Sequence, residues 1–115
     1  WGAMLKTCQD AVEKLNNKYG VELIDMRTIN PYDADMVINS VKKTGRCIIV
    51  HEAIRTCGFA AELIAAINEK ALLSLEAPVV RVTAPDVPYP LAKLENYFLP
   101  DVNRILKGIE KVMSF

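Results

Sequence analysis

Residues 47–59 read CIIVHEAIRTCGF. The run from Cys47 to Val50 is apolar without a break and ends on His51, the chain's one histidine. An alternating pattern marks a strand with one wet face. An unbroken one marks a strand buried on both faces, as in a parallel sheet. Gly58 then opens an Ala- and Leu-rich segment, 58–75, with helical spacing. Strand, turn and helix in that order are half of a crossover unit, so this stretch decides the fold class.

The same alternation continues on either side. Met4, Leu5, Cys8, Ala11, Val12 and Leu15 recur at helical spacing over 3–18, and Gly20 stands where a helix C-cap belongs. VELIDM (21–26) reads as a short strand. Pro31 pushes Asn30 away from the helical region, Asp33 can cap a helix with Met36, Val37, Ile38 and Val41 inward, and Gly45 ends it. RCIIVHE (46–52) is the next strand. APVVRVTAP (77–85) is the last one, PLAKLENYF (90–98) a short helix, and 100–115 an amphipathic terminal helix with Val102, Ile105, Leu106, Ile109, Val112 and Met113 on one face. Strands alternating with helices predict right-handed crossovers and a mainly parallel sheet between two helical layers, a three-layer α/β/α architecture. Only three strands are visible, and helix 3–18 has none before it. The expectation is a single domain over 1–115, a C-terminal piece of a longer subunit whose N-terminal sheet strands are missing.

Composition narrows the function. The chain has 115 residues, 51% of them hydrophobic, with fourteen basic and fourteen acidic side chains. A packed core is expected and disorder is not. Balanced charge gives no footprint for nucleic acid, and no apolar run reaches the roughly 20 residues that span a bilayer. WGAMLKTCQD lacks the basic and apolar regions of a signal peptide. Three irregularly spaced cysteines fit a reducing compartment better than a disulfide framework.

Few motifs carry chemistry. His51-Glu52 ends a strand, where open parallel sheets place their ligands, and imidazole suits proton transfer near neutral pH. The competing reading is that His51 only closes the sheet edge through a hydrogen bond. Cys8, Cys47 and Cys57 lack the close pairing of zinc ligands; Cys8 and Cys47 occupy core positions, while Cys57 lies in the loop. Gly58, with Arg55 and Cys57 before it, starts a helix whose N-terminus could hold an anion, or is plain turn chemistry. No GxGxxG, Walker A or GxSxG pattern occurs. Glu52 and Glu62 are too far apart in sequence to be read as a catalytic pair. APDVPYP (84–90) is a rigid loop, either structural or a partner contact.

Three stretches then carry a resemblance: VELIDMRTINPYDADMVINSVKKTGRCIIVHEA, GFAAELIAAINEKALLSLEAPVVRVTAPDVPYP and YFLPDVNRILKGIEKVM. Together they resemble the C-terminal domain of the beta subunit of thiamine-diphosphate-dependent 2-oxo acid dehydrogenases, the pyruvate, branched-chain and acetoin enzymes. The resemblance covers essentially the whole chain. Its pieces, of the form D-x-R-T-[IL]-x-P-x-D, S-V-x-K-T-G-R and A-P-[VI]-x-R-V-x-x-x-D-x-P-x-P, recur in order. The wider domain family includes transketolase.

The resemblance implies the transketolase C-terminal fold, with a strand leading into Trp1-Gly2 at the centre of the sheet. It implies an assembly and docking domain of an enzyme that decarboxylates a 2-oxo acid, with pyruvate expected, and passes the acyl group to lipoyl groups. Thiamine diphosphate and magnesium would be held by other parts of the enzyme, with no cofactor or metal on this domain and no catalytic residue in it. His51 and Glu52 would line the active-site entrance. The implied partners are an alpha subunit, a second beta subunit and the small basic subunit-binding domain of the lipoyl acyltransferase. Glu76, Asp86 and the carboxylate of Phe115 are the docking candidates. The compartment would be bacterial or archaeal cytoplasm or the mitochondrial matrix. A free-standing binding module on this fold, or the C-terminal part of a transketolase-like enzyme, is the alternative.

Overall fold

A computed structural model describes residues 1–115. The elements run α1 (Met4–Lys14), α2 (Ala34–Thr44), β1 (Ile48–Ile54), α3 (Ala60–Ala71), a 3-10 turn at Leu72–Ser74, β2 (Val80–Ala84), α4 (Glu95–Phe98) and α5 (Val102–Met113). β1 and β2 pair in parallel, Ile49 against Arg81 and Val50 against Val82, with an irregularity between Val50 and Ile54. The expected three-layer order is present. α1 and α5 cover one face of the sheet, and α3 covers the other with α2 packed beside it.

The alternation of side chains along β1 builds both layers. Ile48 and Val50 pack against Ala11, Val82, Ile105 and Ile109. Ile49 joins Met26, Ala60 and Leu63 on the α3 side. Ile38, Val41, Ile67 and Ala71 close the gap between α2 and α3. Each such aliphatic side chain contributes about 1.5–3 kcal/mol on full burial. α5 comes closest to the sheet at Gly108, where a Cβ would stand 2.7 Å from Ile48 Cδ1 and 2.8 Å from Val82 Cγ2.

Helix ends follow local chemistry. Asp33 accepts from Met36 N–H at 2.9 Å, as its position predicts, and Gly45 ends α2 at φ +69° with its N–H on the Val41 carbonyl. Asp101 caps α5 by accepting from Arg104 N–H at 2.7 Å. α1 stops at Lys14, short of the expected Lys18, because Asn16 and Asn17 take the left-handed conformation that asparagine tolerates. The expected helix 90–98 shrinks to Glu95–Phe98, since Pro90 and the left-handed Lys93 hold the residues before it out of a helix. No helix is long and apolar enough to cross a membrane.

The expected strand 21–26 does not form. The segment belongs to neither a helix nor a strand. Between it and β1 lies an apolar cavity of about 490 Å³, lined among others by Leu5, Cys8, Val12, Ile24, Ile48 and Val50. A strand needs a neighbour on which to place its N–H and C=O groups, and across this cavity 21–26 has none.

One edge of β1 is therefore unpaired. The Cys47 carbonyl accepts from Val80 N–H at 3.0 Å. In a parallel ladder alternate residues serve one neighbour, so Ile49 turns its N–H toward β2 and Ile48 and Val50 turn theirs toward the cavity. Amide exchange of the 115-residue chain by NMR should show Ile48 and Val50 exchanging at least about tenfold faster than Ile49, with 21–26 unprotected. Equal, strong protection across 47–52 would mean that the sheet closes on itself in solution.

Candidate functional site at the sheet rim

His51 is the fourth residue of β1 and shares the α3 face with Ile49. It is only 1% exposed. Trp1 stacks on it with ring centroids 5.5 Å apart and 20° between planes. Phe59 meets Trp1 edge-on at 5.7 Å, and Tyr32 meets Phe59 edge-on at 5.3 Å. Gly58 brings the backbone against the imidazole. A Cβ there would stand 2.5 Å from the Ile54 carbonyl oxygen and 2.6 Å from His51 Cε1, so no larger residue fits without moving the strand. Neither Nδ1 nor Nε2 of His51 has a hydrogen-bond partner. Burial, with the Arg81 charge adding to it, pushes the imidazole below its usual 6.5. His51 is thus a neutral, buried ring under an aromatic cover.

Glu52 is exposed, with Oε1 3.9 Å from where a Gly2 Cβ would stand. The two residues that sequence placed together at an entrance differ in burial, His51 closed off and Glu52 open to solvent. The rim turn is held by Asp86 and Arg81. Asp86 accepts from both the backbone N–H and the hydroxyl of Thr56 at 2.8 Å, and these bonds hold its carboxyl below the usual range, with Arg55 adding to the effect. Arg81 donates to the Arg55 carbonyl at 3.1 Å.

The three docking candidates do not form one surface. Asp86 lies at the rim, just after β2. Glu76 lies before β2, at the other end of the sheet, separated by a strand of about 16 Å. There it pairs with Arg46, whose Nε donates to the Val112 carbonyl at 3.3 Å. That contact ties the end of α5, and with it the 77%-exposed Phe115, to the Glu76 end. Of the cysteines, Cys47 is pushed up to about 11 by burial and Cys8 is raised for the same reason, so both are inert thiols. Cys57 is exposed in the rim turn at φ +58°. No cluster of three or more His, Cys, Asp or Glu side chains is arranged to hold a metal ion.

Sequence reasoning found His51 and Gly58 but missed Trp1, Arg81 and Thr56. Trp1 and Arg81 reach the rim only through tertiary structure. Thr56 had a local signal: a hydroxyl residue in a turn before a glycine is a ready partner for a carboxylate.

A neutral buried histidine has a signed effect on stability. Well above pH 6.5 it is unprotonated in both folded and unfolded chains and contributes no pH dependence. As pH falls below 6.5 the unfolded chain takes the proton first, so stability drops until the folded-state pKa is passed. Denaturant unfolding followed from pH 7.5 to 5 should show this loss, and His51→Gln should flatten it. An unchanged slope in His51→Gln would assign the pH dependence to other groups.

Residues 1–105 match the family described as "Transketolase, C-terminal domain". The chain is 43% identical over its whole length to the pyruvate dehydrogenase E1 component subunit beta of Staphylococcus aureus and 44% to that of Bacillus subtilis, and spans 36% of each. It is 45% identical to the mitochondrial 2-oxoisovalerate dehydrogenase subunit beta of Dictyostelium discoideum, of which it spans 31%. The chain thus covers about a third of the length of these relatives. Among solved structures, a "Split gene transketolase, inactive beta4 tetramer" superposes with a TM-score of 0.81 at 21% identity, over 98% of this chain and 36% of that one, which supports the fold. The chain belongs to the transketolase C-terminal domain family.

Proposed function

We propose that the chain is the C-terminal domain of the beta subunit of a 2-oxo acid dehydrogenase, serving subunit assembly and docking of the lipoyl acyltransferase. The observation that carries this reading is identity of 43–45% from end to end with such beta subunits, with none of the chain left over. In this reading thiamine diphosphate and magnesium belong to other parts of an assembly with an alpha subunit and a second beta subunit, and the substrate is a 2-oxo acid such as pyruvate. The domain supplies scaffold and surface. His51, covered by Trp1, acts on the rim and not on the cofactor.

Acyltransferase docking is assigned to the end of the sheet that carries Glu76 and Phe115. Asp86 is already engaged by Thr56 at the opposite end. Arg46 shares the Glu76 charge, and an exposed pair contributes at most about 1 kcal/mol, so the effect to look for is on association rate and its salt dependence. In surface plasmon resonance of the assembled enzyme against the basic binding domain, Glu76→Gln and a short extension past Phe115 should slow association at low salt. Asp86→Asn should not. If all three match the parent in rate and salt slope, docking lies elsewhere.

The family reading itself is tested by activity. The assembled enzyme should acylate lipoyl groups from a 2-oxo acid in the presence of thiamine diphosphate, and His51→Ala should leave thiamine diphosphate affinity within about tenfold, or 1.4 kcal/mol. No acyl transfer from any 2-oxo acid overturns the assignment. A larger loss of affinity in His51→Ala places this rim at the cofactor.

A further inference from the structure

The rim gathers hydrogen-bond donors, of which Arg81 uses one N–H on the Arg55 carbonyl. α3 is a 12-residue helix with no side-chain cap at its N-terminus. The N–H groups of Gly58 and Phe59, just before it, donate to no acceptor in the chain. The imidazole edge of His51 points at this helix start, with Cε1 2.6 Å and Nε2 3.5 Å from where a Gly58 Cβ would stand, and both ring nitrogens are buried and unpartnered. Arg81 pairs with Ile49, two residues before His51, and so shares the α3 face. Neither Arg81 nor Arg55 belongs to any of the chain's four ion pairs. Both carboxylate oxygens of Asp86 accept from Thr56, and Glu52 belongs to none of the four ion pairs.

Buried polar groups in native proteins nearly always have partners, and a helix N-terminus carries partial positive charge. What is missing from this set is negative charge with acceptor oxygens. We propose that the rim is a socket for an oxyanion, a carboxylate or a phosphate group, bound by the His51 imidazole, the Arg81 guanidinium and the free N–H groups at the start of α3. The carboxyl ends of parallel strands beside a helix N-terminus are where such groups bind on general grounds. Trp1 covers the ring, so the anion enters by displacing the indole, and the exposed turn 55–57 gives it a solvent path to Arg55. Arg81 is the charged side chain that acts on His51, and a bound anion raises the imidazole pKa against the lowering effect of burial and Arg81.

The chain has one histidine and one tryptophan, and both are reporters. Inorganic phosphate and acetate, in separate titrations of the purified protein at constant ionic strength with chloride as control, distinguish the two ligand classes. The expected result is saturable movement of the His51 ring signals by NMR in at least one titration, an upward shift of the His51 pKa and a matching change in Trp1 fluorescence. Arg81→Gln should weaken the binding at least tenfold while the amide spectrum of α5 is unchanged. Movement that is linear in concentration or equal in chloride overturns the proposal, and so does an affinity unchanged by Arg81→Gln. If Arg81→Gln does not fold, the parent titrations decide alone.

Discussion

Everything in this domain rests on β1 being buried on both faces. A run of four apolar residues and one histidine supplies Ile48 and Val50 to one helical layer and Ile49 and His51 to the other. The second strand adds width, and its contribution is anchored by α5, which can approach only because position 108 has no side chain to clash with Ile48 and Val82. Alanine would improve helix propensity there by about 1 kcal/mol, but the overpacking it causes would cost about 1–3 kcal/mol and outweigh that gain. The contact with the sheet, and not the helix, selects the residue.

The two ends of the sheet are fastened differently. At the amino end, Arg46 links Glu76 to the last turn of α5. At the carboxyl end, Asp86 grips both donors of Thr56 while Arg81 holds the Arg55 carbonyl. In the second arrangement a single carboxylate accepts two charge-assisted hydrogen bonds. It joins the proline loop after β2 to the turn after β1.

Patterns that repeat within one element are legible in the sequence. The unbroken CIIV run, the Asp33 cap and the amphipathic 100–115 segment each stand in the structure as expected, because their causes lie within a few residues. The strand expected at 21–26 fails for the opposite reason: VELIDM has strand composition, yet a strand is a relation between two stretches of backbone, and the partner position holds a cavity. The rim position of His51 follows from the strand that carries it, but its burial does not. Trp1 is fifty residues away in sequence, and no local pattern announces that an indole will lie on an imidazole. Glu76 and Asp86 are close in sequence and look like one surface; the strand between them sends them to opposite ends.

The condition of His51 is an energetic argument about purpose. An unsatisfied buried polar group costs roughly 1–3 kcal/mol, and this ring carries two such nitrogens. Stacking with Trp1 offsets about 0.5–1.5 kcal/mol, less than the penalty. A leucine or phenylalanine at the same place would cover the same apolar surroundings without orphaned atoms. Gly58 is fitted against the ring so tightly that even a methyl group has no room, and the turn that presents Gly58 is itself clamped by Asp86. A buried ring with two unpartnered nitrogens, where an apolar side chain would cover the same surroundings, is not explained by packing. Its explanation lies in whatever meets the ring nitrogens at the rim.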